Sequence, residues 1–182
     1  MNRGRPRSEA SRRAILDAAL RLCERDGYGA VTLKSIAAEA GTGRQTLYRW
    51  WSTKAEVFLE VLTDVIARRL QPLPRSADPA ADLEAFLIAT FDLADGVVGR
   101  IVVNLMAEAQ SDPELAARFS TEVIALRRNA LRELLERYVP DADPELAVDM
   151  VFGTMWYRLL NRHAPVDSEL ATDITALLSR IK

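Results

Sequence analysis

One cysteine and one histidine in 182 residues remove much of the chemistry a chain this size can carry. A lone thiol, Cys23, forms no internal disulfide. With His163 as the single imidazole, neither a metal cluster nor most nucleophile–base pairs are available. No Gly-rich phosphate loop and no paired carboxylates in a cleft appear, so neither an enzyme nor a cofactor is expected. Eight glycines and eight prolines beside 49% hydrophobic residues are too few for a disordered chain. No apolar run nears membrane-spanning length and none follows the basic start, so the expectation is a cytoplasmic protein with no membrane partner.

Charge is present but unevenly placed. Residues 1–55 balance to +6 and residues 56–182 to −8, for a net −2. A basic first third on an acidic remainder suits a DNA-binding head on a body that does not touch DNA. Arg3, Arg5 and Arg7 alternate with Gly and Pro in residues 1–7, a segment without apolar periodicity. It is either a flexible arm that tracks phosphates or enters a minor groove, or a solvated terminus.

From there the pattern is helical throughout, with no strand-like alternation. Ile15, Leu16, Ala19, Leu20 and Cys23 recur at helical spacing after Ser8 or Ser11 as candidate caps, and Gly27 ends the segment. Cys23 on that stripe reads as a small core residue. Thr32 caps a second helix over 33–40, which Gly41 stops. After Thr42-Gly43, a short helix carries Arg44, Gln45, Thr46, Tyr48 and Arg49 on one side. Leu47 and Trp51, four apart, anchor the other. Arg and Gln make bidentate contacts with guanine and adenine edges. A short helix held from behind with such residues in front is a helix-turn-helix recognition helix. Thr53 and Glu56 then have capping-box spacing for a helix to about Leu70.

Three prolines in eight residues, Pro72, Pro74 and Pro79, mark the clearest break. Beyond it the periodicity predicts helices near 80–94, 97–110, 113–138, 144–162 and 168–181. In the last two, Val148, Val151, Phe152, Met155, Leu159 and Leu160 form one apolar face. Leu170, Ile174, Leu177, Leu178 and Ile181 form another. Joined by a short Pro turn, the two helices are an antiparallel pair that either closes its own core or meets its copy across a two-fold axis.

The head resembles the TetR family of bacterial transcriptional repressors. The matching residues run from Ile15-Leu16-Asp17-Ala18-Ala19 and Gly27-Tyr28 through Val31-Thr32-Leu33 and Ile36-Ala37. They continue over Ala40 to Tyr48 and from Trp51 to Glu56. Gly43 departs from the capping Ser usual there, and Trp51 from the commoner Phe. The resemblance implies an all-α fold of about nine helices: residues 1–7 as the arm, 8–53 as the helix-turn-helix domain, and 54–182 as a ligand-binding and dimerisation domain whose first helix, 54–70, links the two. It implies a homodimer on a palindromic operator of double-stranded DNA, released by a small-molecule effector. By position, Thr42, Arg44, Gln45 and Arg49 would face bases or the adjacent backbone. Thr32, Tyr48 and Lys54 would hold phosphates, and helix N-termini beside Thr32 and Lys54 favour an anion.

Candidate pocket residues are Phe86, Thr90, Met106, Phe119, Val123, Met155 and Trp156, an apolar set that suits a largely apolar effector, although each also reads as ordinary core. Arg127, Arg158 and His163 are candidates to meet a polar or anionic one, Arg158 alternatively pairing with a carboxylate. With a dimer implied, Val148, Val151, Phe152, Met155, Leu159, Leu170, Ile174, Leu177, Leu178 and Ile181 are the candidate interface. The competing readings are a DNA-binding adaptor without a small-molecule effector and a carrier or enzyme fused to a helix-turn-helix.

Overall fold

The computed structural model describes residues 5–70, 73 and 75–181, all of whose regular elements are helical. The head comprises α1 (Arg5–Asp26), α2 (Leu33–Glu39) and α3 (Arg44–Tyr48), followed by α4 (Lys54–Arg69). The body adds α5 (Pro79–Asp95), α6 (Val97–Ala109), α7 (Pro113–Phe119), α8 (Ala125–Tyr138), α9 (Pro144–Asn161) and α10 (Ser168–Leu178).

Side-chain caps set most of the starts. Thr32 accepts the Ser35 N–H at 3.0 Å and Thr53 the Glu56 N–H at 3.2 Å. Asp78, Asp112, Asp143 and Asp167 do the same for α5, α7, α9 and α10. Pro79, Pro113 and Pro144 sit at first helical positions, where their missing N–H costs nothing. Two stops need a positive φ, and glycine supplies it: Gly27 at 80° and Gly41 at 63°.

Two elements differ from the sequence reading. α1 begins at Arg5, ahead of both serines, so residues 5–7 belong to the helix and neither Ser8 nor Ser11 opens it. The stretch 113–138 is one rod, but a π turn over Ser120–Ile124 interrupts it, where the Ala125 N–H donates to the Ser120 carbonyl. Counted as one rod, this stretch brings the described residues to the nine helices expected.

Buried side chains form two cores. The first joins α1–α4 to α6, α7 and the π turn, with Phe58 and Leu62 of α4 fully buried and the Tyr28 ring 4.8 Å from that of Phe58. It therefore runs on past residue 53 into the body. The second joins α5, α8, α9 and α10 around Leu83, Leu87, Phe91 and Leu131. No described helix is long and apolar enough to cross a membrane.

Candidate nucleic-acid interface and a cavity between the cores

Gly41 takes the left-handed conformation that the turn after α2 requires, and the Thr42 N–H closes it on the Ala37 carbonyl at 3.0 Å. α3 follows with Gly43 as its N-cap and no side-chain cap bond. Leu47 and Trp51 are buried, and the Trp51 indole donates to Glu60 of α4 at 2.8 Å, so the short helix is held from behind. On the outer side Arg44, Gln45, Tyr48 and Arg49 are exposed. Neither Arg44 nor Arg49 has a carboxylate partner among the described residues. The Arg49 guanidinium lies 5.3 Å from the Trp50 ring centre. The geometry offers two cations, an amide and a phenol on one ridge, the donor set that reads base edges and phosphates.

The other proposed DNA contacts are placed differently. The Thr42 hydroxyl is buried without a partner, turned away from solvent, and Thr46 is half-buried. Thr32 is exposed, with its hydroxyl engaged in the cap of α2. Lys54 folds inward: its ammonium donates to the Tyr28 carbonyl at 3.1 Å and lies 4.2 Å over the Tyr28 ring. It is an internal tie rather than a free phosphate ligand, because that carbonyl and ring face the start of α4. Arg3 lies outside the described residues, and Arg5 opens α1.

A cavity of about 370 Å³ occupies the seam between the two cores. α4 and its C-cap supply Ile66 and Leu70, α6 supplies Val98 and Val102, and the π turn supplies Val123 and Ile124. α5 and α9 close the other side with Thr90, Leu93, Met155 and Trp156. Four of the seven expected residues thus line it: Thr90, Val123, Met155 and Trp156. The other three do not. Phe86 lies behind the cavity wall in the second core, and Phe119 and Met106 pack in or against the first. Ile66 and Leu70, at the cavity, were not among the expected residues. Arg127 reaches the same cavity, 7% exposed. Arg158 donates to the Pro165 carbonyl at 2.7 Å, not to a carboxylate, and His163 is exposed against the edge of Tyr157.

Residues 15–61 match the family described as "Bacterial regulatory proteins, tetR family", and residues 73–178 match "Tetracyclin repressor-like, C-terminal domain". The chain belongs to the TetR family. YdeS of Bacillus subtilis, an HTH-type transcriptional regulator, is 30% identical over 94% of this chain and 89% of its own length. The TetR family transcription regulator SCO0332 superposes with a TM-score of 0.75 at 29% identity, over 94% of this chain and 98% of that one. FadR of Bacillus subtilis, solved in complex with stearoyl-CoA, shares the fold with a TM-score of 0.70 at 21% identity, over 93% and 98%.

This TetR-family chain is thus a transcriptional regulator with a DNA-binding helix-turn-helix. Its expected dimer face needs correction, however. Val148, Val151, Phe152, Met155, Leu170, Ile174 and Leu178 are buried within the protomer's own second core, and Leu159 is half-buried at the cavity. They are spent on packing α9 and α10 against α5 and α8. Ile181 lies in the terminal 3₁₀ turn. Of that set Leu177 is exposed, and with it the opposite side of α9: Leu146, Met150, Tyr157 and Leu160.

Proposed function

We propose that this regulator is a homodimeric repressor that holds a palindromic operator through its two α3 helices and leaves it when a small molecule fills the cavity. The observation that carries the reading is the course of α4. Its first residue, Lys54, is tied to Tyr28 in the head, while Ile66 and Leu70 near its other end line the cavity. The cavity also separates the core that carries the head from the core that carries α9. A ligand that prefers one spacing of the two cores shifts the separation of the heads, by its differential affinity and no more.

The proposed interface is the outer face of α9. Leu146, Met150, Tyr157 and Leu160 recur at helical spacing with exposed Gly153 among them, and each of the four is at least 47% exposed. Large apolar side chains in one stripe mark an interaction surface, and a two-fold axis lets one stripe meet its own copy. That axis also gives a palindrome two heads.

Filling the cavity without a ligand tests control. Val102→Trp occupies the seam from α6 and should weaken operator binding by roughly 5–150-fold, the usual range of allosteric coupling, with helical content and dimer mass unchanged. Operator affinity equal to that of the unaltered protein would remove the cavity from the mechanism.

A further inference from the structure

Arg127 is the feature of the cavity that packing does not explain. Its guanidinium lies 4.2 Å over the ring of Phe86, and Nη2 donates to the Thr90 hydroxyl at 2.6 Å. That hydroxyl in turn donates a hydrogen bond to the Phe86 carbonyl at 2.7 Å. Nε and Nη1 are buried with no partner. Of five N–H donors, the three on these two nitrogens lack an acceptor. A buried guanidinium without a counter-charge is costly, and such groups in native proteins are completed by a water, an ion or a ligand. Burial alone pushes the Arg127 pKa down, to about 10, so the charge persists at neutral pH.

The surrounding carboxylates are already engaged. Glu145 and Asp149, on the turns of α9 that face α8, are held by Arg128 and Arg132. Arg128, the other cation at the cavity, is neutralised by that clasp. The site therefore lacks one negative charge. The rest of the wall is apolar: Ile66, Leu93, Val98, Val102, Met155 and Trp156. The π turn ends three residues before Arg127, and Val123 and Arg127, four apart, both line the cavity.

Resting on the reading of this cavity as the effector site, we infer that its ligand is an amphiphilic monocarboxylic acid whose carboxylate pairs with Arg127 and whose apolar body fills the seam between the cores. A single carboxylate matches the one unbalanced charge, and its two oxygens suit the guanidinium fork. A phosphate dianion would bring a second charge with no cation to meet it. The cavity of about 370 Å³ has the volume of roughly twelve water molecules at about 30 Å³ each, room for a medium-length chain.

Calorimetric titration of the full-length protein with decanoate, decan-1-ol, decyl phosphate and decanoyl-CoA tests this. Decanoate should bind most tightly, roughly 10–100-fold ahead of decan-1-ol, the difference a charge-assisted hydrogen-bonded pair makes. Arg127→Met should abolish that preference while unfolding at an equal or higher temperature, because an apolar side chain replaces an uncompensated buried charge. Arg127→Lys should retain part of it. Decan-1-ol binding as well as decanoate, tighter binding by the phosphate or the thioester, or no decanoate binding at all would each overturn the assignment, whether or not the Met variant folds. Operator affinity is read separately. Decanoate that binds through Arg127 but leaves operator affinity unchanged would retire the release mechanism and keep this assignment. Operator release by a neutral ligand in the cavity would do the reverse.

Discussion

Lys54 and Tyr28 join the start of α4 to the turn that follows α1. The Lys54 ammonium donates to the Tyr28 carbonyl at 3.1 Å and stands 4.2 Å over the ring of the same residue. Tyr28 itself is buried against Phe58, so the tie reaches the centre of the first core. Lys54→Ala should destabilise the fold by about 1–2 kcal/mol, a hydrogen bond and a cation–π contact together, as read from urea unfolding. The dependence of DNA binding on salt should stay the same. A slope reduced by about 1 would return Lys54 to the phosphates.

Arg44 and Gln45 are exposed on α3, and neither side chain has an ion-pair partner among the described residues. Replacing either by Ala should leave the unfolding temperature unchanged and cost about 1–3 kcal/mol of specific binding. The loss should fall on some base substitutions in the operator and not others. Competition binding against a panel of single-base operator variants measures it, and a uniform loss across the panel would make these residues phosphate contacts.

On α9, Met150→Glu with Leu160→Glu should give a folded monomer, because both side chains are exposed at 47% and 58%. Phe152→Asp should instead lower stability severely, since it buries an unpaired charge in the second core. Light scattering for mass and circular dichroism for fold separate the two outcomes. A double mutant that remains dimeric would move the interface off α9.

Asp82 supplies a pH dependence. Its carboxylate accepts the Ser76 N–H at 2.8 and 3.0 Å and the Arg137 guanidinium at 2.9 Å, pinning Ser76 of the Pro-rich break to α5 and α8. Burial pushes the Asp82 carboxyl up, but these hydrogen bonds and the Arg137 charge outweigh it and hold the group below the usual carboxylate range. A lowered native-state value means that the unfolded chain takes up the proton first as pH falls. The stabilisation is therefore complete above about pH 4 and is lost as pH drops through the lower native value. Unfolding free energies measured from about pH 5 to 2 should show Asp82→Asn less stable at the upper end and less steep below it. Parallel curves would mean that Asp82 does not carry the acid sensitivity.

Apart from the start of α1 and the break at the π turn, the helix boundaries were legible because their signals are local. Thr32, Thr53 and Asp112 cap within three residues, and Gly27 and Gly41 stop helices through their own φ. The ridge of α3 was legible for the same reason, since Leu47 and Trp51 fix which side faces in. Which side of α9 faces inward was not. That helix is apolar on both sides, with Val148, Val151 and Phe152 in the core and Met150, Tyr157 and Leu160 in solvent, so periodicity alone supports either orientation. The burial of Arg127 and the inward turn of Lys54 depend on neighbours at a sequence distance of 37 and 26 residues, which no window on the chain contains. The π turn carries no signature of its own, yet it sets the register of Val123 and Arg127.

The most direct test of the central claim, a two-headed DNA reader, is selection of bound fragments from sheared genomic DNA by the purified protein at near-physiological salt, followed by sequencing. A dimer with two recognition helices should enrich a palindrome whose half-sites lie a whole number of helical turns apart, about 34 Å of duplex or a multiple of it. Enrichment of a lone half-site, or binding that merely fades with salt and favours no sequence, would contradict it.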